Sequence, residues 1–204
     1  MIVDNFIDET SAAPDPIKQF HRWFDHAKAA EIPLAESMTL ATATTEGRPS
    51  ARIVLLKHAD DEGFVFYTNY RSRKARELDA NPFAALIFYW QKLDYQIRVE
   101  GSVTRVSAAE SDAYFATHPR ESQLGAHASP QSDPVVDRGF LERQFAEAEM
   151  RYLNGDVIRP EHWGGYRLKP DRIEFWKSRS GRLHDRVLYE LQPDGSWLRR
   201  RLAP

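Results

Sequence analysis

Near its C-terminus the chain reads GRLHDR, Gly181 to Arg186, which places two arginines, a histidine and an aspartate within six residues. In an extended strand alternate residues share a face, so Arg182, His184 and Arg186 are expected on one side and Leu183 and Asp185 on the other. Such a row reads either as the charged exterior of a hairpin or as a grip on an anion beside a reactive carbon. Three groups able to carry positive charge repel one another on one face unless an acid or an anion sits among them. That favours a site. A second cationic group lies in YTNYRSRKARE, Tyr67 to Glu77. Arg71, Arg73 and Lys74 fall there at the first turn of an expected helix, where the macrodipole disfavours cations and a compensating anion is called for. Free N–H groups beside Arg and Lys make a phosphate cradle. The alternative is a solvated basic turn.

Two further segments carry suitable groups. YFATHPRESQLGAHASPQS crowds Tyr114, His118, Arg120, Ser122, Gln131 and Ser132 into a helix end and the loop after it. Polar loops are commonly just loops, and a lone histidine there is more often a surface or capping residue than a catalyst. RIVLLK, Arg52 to Lys57, sets a cation at each end of an apolar strand, which also suits a buried strand with snorkelling ends. Four anion-suited segments share a chain whose formal net charge is only -2. Any anion sites are therefore local, and they suggest more than one phosphate. Trp90, Tyr95 and Trp176 could wall a flat ring.

The 204 residues suffice for one good core and are short for two. With 42% hydrophobic and 28% charged residues a soluble globular domain is expected. No basic excess points to nucleic acid or an anionic membrane as partner. The absence of cysteine excludes disulfides, thiolate catalysis and Cys-ligated zinc or iron–sulfur clusters, and no metal site is expected. GxGxxG and GxxxxGK[ST] are both missing, so neither a Rossmann nor a P-loop nucleotide site is supported. MIVDNFIDETSAAPDP carries no basic-then-apolar signal, and Pro82 to Trp90 is too short to span a bilayer. A cytoplasmic location is the default.

The elements that must position these groups are mostly strands. Residues 1–14 read as a flexible arm and 15–204 as one domain. Asp15 can cap and Pro16 open a helix whose Ile17, Phe20, Phe24 and Ala27 recur at helical spacing. MTLATAT, ARIVLLKHA and FVFYTN read as three strands of an antiparallel meander. SRKARELDAN is a short helix stopping before Pro82. FAALIFYWQ and YQIRVEGSVTRV form another pair. Ser107 and Glu110 fit a capping box opening a helix that ends before Pro119. Asp137 to Gly155 is a further helix, and three strands follow: GGYRLKPDRIEFWKS, RLHDRVLYEL and SWLRRRLAP. Seven or eight strands with tight turns and three or four peripheral helices suggest a mainly β (α+β) fold built on a small antiparallel barrel.

Taken in order, RIVLLK, YTNYRSRKARE, SQLGAHASPQS, WGGYRL, EFW, RLHDR and the terminal RLAP resemble the pyridoxine (pyridoxamine) 5'-phosphate oxidase family, from about Asp15 to Pro204. The resemblance implies an FMN-binding split β-barrel acting as a homodimer, with FMN at the interface. It implies FMN contacts at Arg52, Ile53, Val54, Leu55, Leu56, Lys57, Tyr67, Thr68, Arg73, Lys74, Gln96, Gln131, Ser132, Trp176 and Arg186. Substrate-phosphate contacts are implied at Lys57, Tyr114, His118 and Ser122, with Arg182 and His184 over the pyridine ring as the catalytic pair. The implied reaction oxidises C4' of pyridoxine 5'-phosphate or pyridoxamine 5'-phosphate to the aldehyde, pyridoxal 5'-phosphate. A hydride passes to the flavin, and O2 is reduced to H2O2.

Two features depart from the family pattern. His118 stands where the family usually has an arginine, giving up a permanent charge and a two-pronged hydrogen bond. Arg120, two residues on, is a possible substitute. The N-terminal arm lacks the family's RxxY element, so a lid from it is not expected. Two other readings compete: a related FMN oxidase of the phenazine-biosynthesis type, and a non-catalytic FMN- or pyridoxal-phosphate-binding protein on the same barrel. The retained Lys57, Tyr114, Ser122, Arg182 and His184 favour the vitamin B6 oxidase.

Overall fold

A computed structural model describes residues 6–204. The chain forms helix α1 (Pro16–Ala29), strands β1 (Ser37–Ala43), β2 (Pro49–Leu55), β3 (His58–Asp60) and β4 (Gly63–Asn69), then helix α2 (Arg73–Ala80). Strands β5 (Phe83–Trp90) and β6 (Tyr95–Arg105) lead to helices α3 (Ala108–Ala116), α4 (Arg120–Ala128) and α5 (Arg138–Arg151). Strands β7 (Trp163–Lys177), β8 (Asp185–Leu191) and β9 (Trp197–Arg201) close the chain. Among the described residues no helix is long and apolar enough to cross a membrane.

The strands make one antiparallel sheet in the order β2-β1-β5-β6-β7-β4-β3, with β8 on β7 and β9 on β8. β7 is its spine. One edge pairs with β6 along Tyr166–Lys177. The other edge takes β4 along Trp163–Leu168 and β8 along Arg172–Lys177. The sheet therefore forks at Pro170, which cannot donate to a ladder. The β6 register shifts opposite, between Glu100 and Gly101. A Cβ at Gly101 would collide with the Lys169 carbonyl, so the close approach at this bulge requires glycine. A forked, curled sheet with helices around it is the split barrel expected from the sequence.

The core lies between α1 and the sheet. Asp15 caps α1 by accepting from the N–H groups of Ile17 (2.7 Å) and Lys18 (3.1 Å). The helix then buries Phe20, Trp23 and Ala27, and Trp23 stacks on Tyr95 at 3.9 Å between centroids. A smaller cluster of Phe115, Leu124, Ala148 and Val157 lies among α3, α4 and α5.

Three expectations need correction. ARIVLLKHA is two strands broken at Leu56–Lys57, and β4 pairs with β7 and β3, so the early strands are not a continuous meander. The stretch after α3 is the helix α4 rather than a loop. Of the arm expected over residues 1–14, residues 1–5 lie outside the described residues. Residues 6–14 lie against the body. Ile7 and Ala12 are buried, and Ala13 and Ala12 carbonyls accept from Tyr189 (2.6 Å) and Arg199 (2.6 Å).

Candidate active site

The first group forms where β4 turns into α2. Ser72 caps α2 by accepting from the Ala75 N–H, which puts Arg73 and Lys74 at the first two helical positions. Lys74 Nζ donates to Gln131 Oε1 (2.8 Å), Thr68 Oγ1 (3.0 Å) and Ser72 Oγ (3.4 Å). Thr68 also donates to Gln131 Oε1 at 3.0 Å. These acceptors are all neutral. Burial, helped by the Arg52 charge, pushes Lys74 down to about 8. A half-buried ammonium among neutral oxygens at a helix N-terminus is well placed for an added anion.

Arg73 has a protein counter-ion. Its Nε donates to Glu77 Oε1 at 2.8 Å, one turn on. Glu77 is buried, accepts from the Thr42 hydroxyl, and meets Arg52 at 3.3 Å. Burial alone would push its carboxyl up, but Thr42, Arg73 and Arg52 together hold it below the usual range. Arg52 also donates to the Leu40 carbonyl (3.0 Å), Thr42 Oγ1 (2.7 Å) and Ser50 Oγ. Glu77 thus gathers both arginines. Sequence reasoning missed it, although its i+4 spacing from Arg73 was a usable signal. Of the other RIVLLK residues, Ile53 and Lys57 are exposed, Val54 and Leu55 half-buried and Leu56 buried.

Beside the cradle is an aromatic stack. Tyr67 lies on Tyr114 at 4.0 Å and on Trp163 at 5.4 Å. Gly165 permits this, because a Cβ there would meet the Tyr67 ring. Burial pushes the Tyr67 phenol up to about 12, so it stays protonated. His118 stands edge-on to Tyr114 at 4.8 Å, and its Nδ1 lies 3.1 Å from the Tyr114 carbonyl. A carbonyl only accepts, so Nδ1 carries the proton and Nε2 remains for another partner. Arg120 does not stand in for the missing arginine: it donates to the Tyr152 and Gly155 carbonyls, the latter at 2.9 Å. Ser122, on α4, and Ser132, with φ 75°, are exposed.

The second group is a row across three strands. Gln96 on β6 is the register partner of Trp176 on β7, which is the partner of Arg186 on β8. Arg186 donates to Glu174 at 2.7 Å, which keeps it charged. His184 packs on Trp176 at 4.7 Å between ring centroids. The strand row expected for Arg182, His184 and Arg186 is not present. β8 begins only at Asp185, and Gly181 and Arg182 both have left-handed backbone, φ 66° and 61°, which breaks the alternation. The acid among these cations is Asp185, which is buried against Arg179 (3.3 Å) and Arg201 (3.4 Å).

The two groups flank opposite ends of β7. Tyr67 pairs with Gly165 and Gln96 with Trp176, roughly 36 Å apart along the strand's contour at about 3.3 Å per residue. Each chain therefore carries two separate groups: the cradle with its aromatic stack, and the Gln96–Trp176–Arg186 row with His184.

Residues 24–152 match the family described as pyridoxamine 5'-phosphate oxidase, and residues 163–204 match the pyridoxine 5'-phosphate oxidase C-terminal dimerisation region. The chain belongs to this family. A pyridoxine/pyridoxamine 5'-phosphate oxidase of Rubrobacter xylanophilus is 58% identical over 196 residues, covering 96% of this chain and 90% of the relative. A second from Ralstonia nicotianae is 56% identical, covering 97% and 93%. Among solved structures, PhzG from Burkholderia lata, in complex with tetrahydrophenazine-1-carboxylic acid, superposes with TM-score 0.92 at 34% identity and 98% coverage of both chains. An FMN-binding, pyridoxamine 5'-phosphate oxidase-related protein from Nostoc punctiforme shares the fold, with TM-score 0.74 at 19% identity over 93% of this chain and 98% of its own. As a member of the oxidase family the protein is an oxidoreductase, and FMN is the family's cofactor. The residues present fit that cofactor. Lys74, Arg73 and the start of α2 suit a phosphate dianion, and the Gln96–Trp176–Arg186 row offers polar groups and a flat apolar face to a ring system.

Proposed function

We propose that the protein oxidises pyridoxine 5'-phosphate, or pyridoxamine 5'-phosphate with uptake of water and release of ammonia, to pyridoxal 5'-phosphate as an FMN-dependent homodimer in the cytoplasm, with O2 as acceptor and H2O2 as product. The observation that carries this reading is the packing of His184 on Trp176, beside the Gln96–Trp176–Arg186 row. It sets the RLHDR histidine next to the groups suited to the flavin ring.

In this reading each group is half of a site completed across the dimer: the cradle of one protomer meets the row and the RLHDR loop of its partner. Lys74, with Arg73 and Thr68, binds the FMN phosphate, and Gln131 closes over it. Arg52 and the backbone through Lys57, with Ser132, take the remaining polar contacts. When bound, FMN supplies the hydride acceptor and passes the electrons to O2. Lys57, Tyr114, His118 and Ser122 hold the substrate phosphate. Arg182 and His184 hold the pyridine ring so that C4' lies near the flavin, which is the orienting part of the catalysis. The Arg179 N–H donates to His184 Nδ1 at 3.1 Å, so the neutral ring presents its proton on Nε2.

The test is anaerobic addition of pyridoxine 5'-phosphate to the FMN-loaded protein. Bleaching of the flavin band, its return with air, and equal amounts of aldehyde and peroxide are expected. FMN binding without bleaching by either B6 phosphate overturns the substrate assignment. A phenazine-type substrate is the second reading, favoured by the TM-score of 0.92 to PhzG; bleaching by a reduced phenazine carboxylate alone would select it.

A further inference from the structure

The loop between β7 and β8 carries Arg182 and His184 with no ladder of its own and only a short 3₁₀ turn at Ser180–Arg182. Its backbone is strained, because Arg182 is left-handed at φ 61° without being glycine. Besides the packing of His184 on Trp176, two contacts from Arg179 close the loop. The main-chain N–H donates to His184 Nδ1 at 3.1 Å. The side-chain Nε lies 3.3 Å from Asp185 Oδ2. Asp185 opens β8 and is only 9% exposed. Its other oxygen faces Arg201 of β9 at 3.4 Å, and Arg201 also meets Glu9 at 3.1 Å. The carboxylate is therefore anchored from the sheet side, and its second oxygen, buried and without a hydrogen bond among the described residues, faces the loop through the ion pair with Arg179.

We propose that Asp185 is a positioning residue. It pins Arg179 so that the Arg179 N–H reaches His184 Nδ1, fixing that ring's tautomer and the strained turn at Arg182. The inference rests on the role given above to Arg182 and His184. Asp185 acts through Arg179 and has no contact assigned with substrate or cofactor.

The FMN-loaded full chain is compared with Arg179→Gln, Arg179→Lys, Asp185→Asn and the Arg179→Gln/Asp185→Asn double variant. Arg179 is the more exposed partner, so its variants are read even if Asp185→Asn folds poorly. Each charge-removing change is expected to lower kcat/KM for pyridoxine 5'-phosphate about tenfold to a hundredfold, the scale of a misplaced reacting geometry. FMN affinity by flavin fluorescence stays within about twofold of the parent, and the double variant is no worse than the worse single, because one contact is lost either way. Arg179→Lys recovers most of the loss. Losses that multiply, FMN affinity falling in step with turnover, or turnover unchanged would each overturn the proposal. A second readout needs no substrate: ¹⁵N shifts of His184 report the Nε2–H tautomer in the parent and a mixture in Arg179→Gln. Failure of the parent to oxidise either B6 phosphate sinks the proposed function alone. The tautomer measurement then decides the role of Asp185, and an unchanged signature rejects it.

Discussion

Lys74 and Gln131 meet at 2.8 Å although 57 positions separate them in the chain. The contact joins the start of α2 to the segment after α4, and Thr68 completes it from β4. Two distant stretches of sequence, Thr68 to Lys74 and the segment at Gln131, thus converge on one ammonium.

That ammonium sets a pH dependence. Burial holds Lys74 at about 8 in the ligand-free protein, down from 10.5. The phosphate is already dianionic above a second pKa of about 6, so the lysine alone titrates here. FMN is expected to bind most tightly below pH 8 and to weaken as pH rises through 8, by at most about tenfold per pH unit. The check is a flavin fluorescence titration from about pH 6.5 to 9.5. A profile that is the same in Lys74→Met rejects the assignment.

Glu77 is expected to matter for stability as well as for the cofactor. Its side chain is 7% exposed and faces both Arg52 and Arg73. Glu77→Gln leaves the half-buried Arg52 guanidinium with neutral acceptors only and removes the carboxylate from Arg73, which costs about 1–3 kcal/mol at neutral pH. The folded carboxyl is held below its unfolded value of 4.5, so its contribution is present above that value and is lost as pH falls through the folded one. Thermal melts of parent and variant should therefore differ most near neutrality and converge in acid. An equal gap at both pH values refutes this.

In the proposed function His118 holds the substrate phosphate, at the position where the resemblance implies an arginine. Arg120 is held by the Tyr152 and Gly155 carbonyls and does not replace the missing guanidinium. His118→Arg is expected to lower KM for pyridoxine 5'-phosphate roughly tenfold with little change in kcat, the effect of one added charge-assisted contact. Steady-state kinetics at saturating FMN measure it. A changed kcat with unchanged KM would place His118 elsewhere in the reaction.

Sharing of each site between protomers can be tested by complementation. Lys74→Met damages the cradle and Arg182→Ala damages the loop. In a heterodimer of the two, one site carries both lesions and the other carries neither. Co-expressed, separately tagged chains purified as heterodimer should regain about half the parental activity per dimer, since one of two sites is intact. Activity no higher than that of either parent variant would mean that each site is built within one chain.

Much of this was legible in the sequence wherever a local rule governed. Asp15 and Ser107, read as caps, do cap the helices that follow, and Ser72 and Asp137, read only as helix starts, prove to be caps as well, because a short polar side chain satisfies free N–H groups without tertiary help. The clustering of Arg73 and Lys74 followed from the expected helix start. Local rules failed where long-range contacts decided. The α4 segment RESQLGAHA has a weak apolar pattern and becomes helical while packing Leu124 and Ala128 inward. Alternation across Arg182–Arg186 assumed an extended chain, whereas Gly181 and Arg182 turn left-handed. The pairing of β4 with β7 has no sequence signature at all, since either strand's pattern suits many partners.

The forked β7 also dictates an order of events during synthesis. β4 and β6 both leave the ribosome well before the strand that pairs with each of them, β4 by a separation of about 100 residues, so their open edges wait on late arrival. Loop closure over that distance is slow, and unpaired edges invite association with other chains meanwhile. Truncation before Trp163 would leave the N-terminal part without its central strand, however well its own helices are capped.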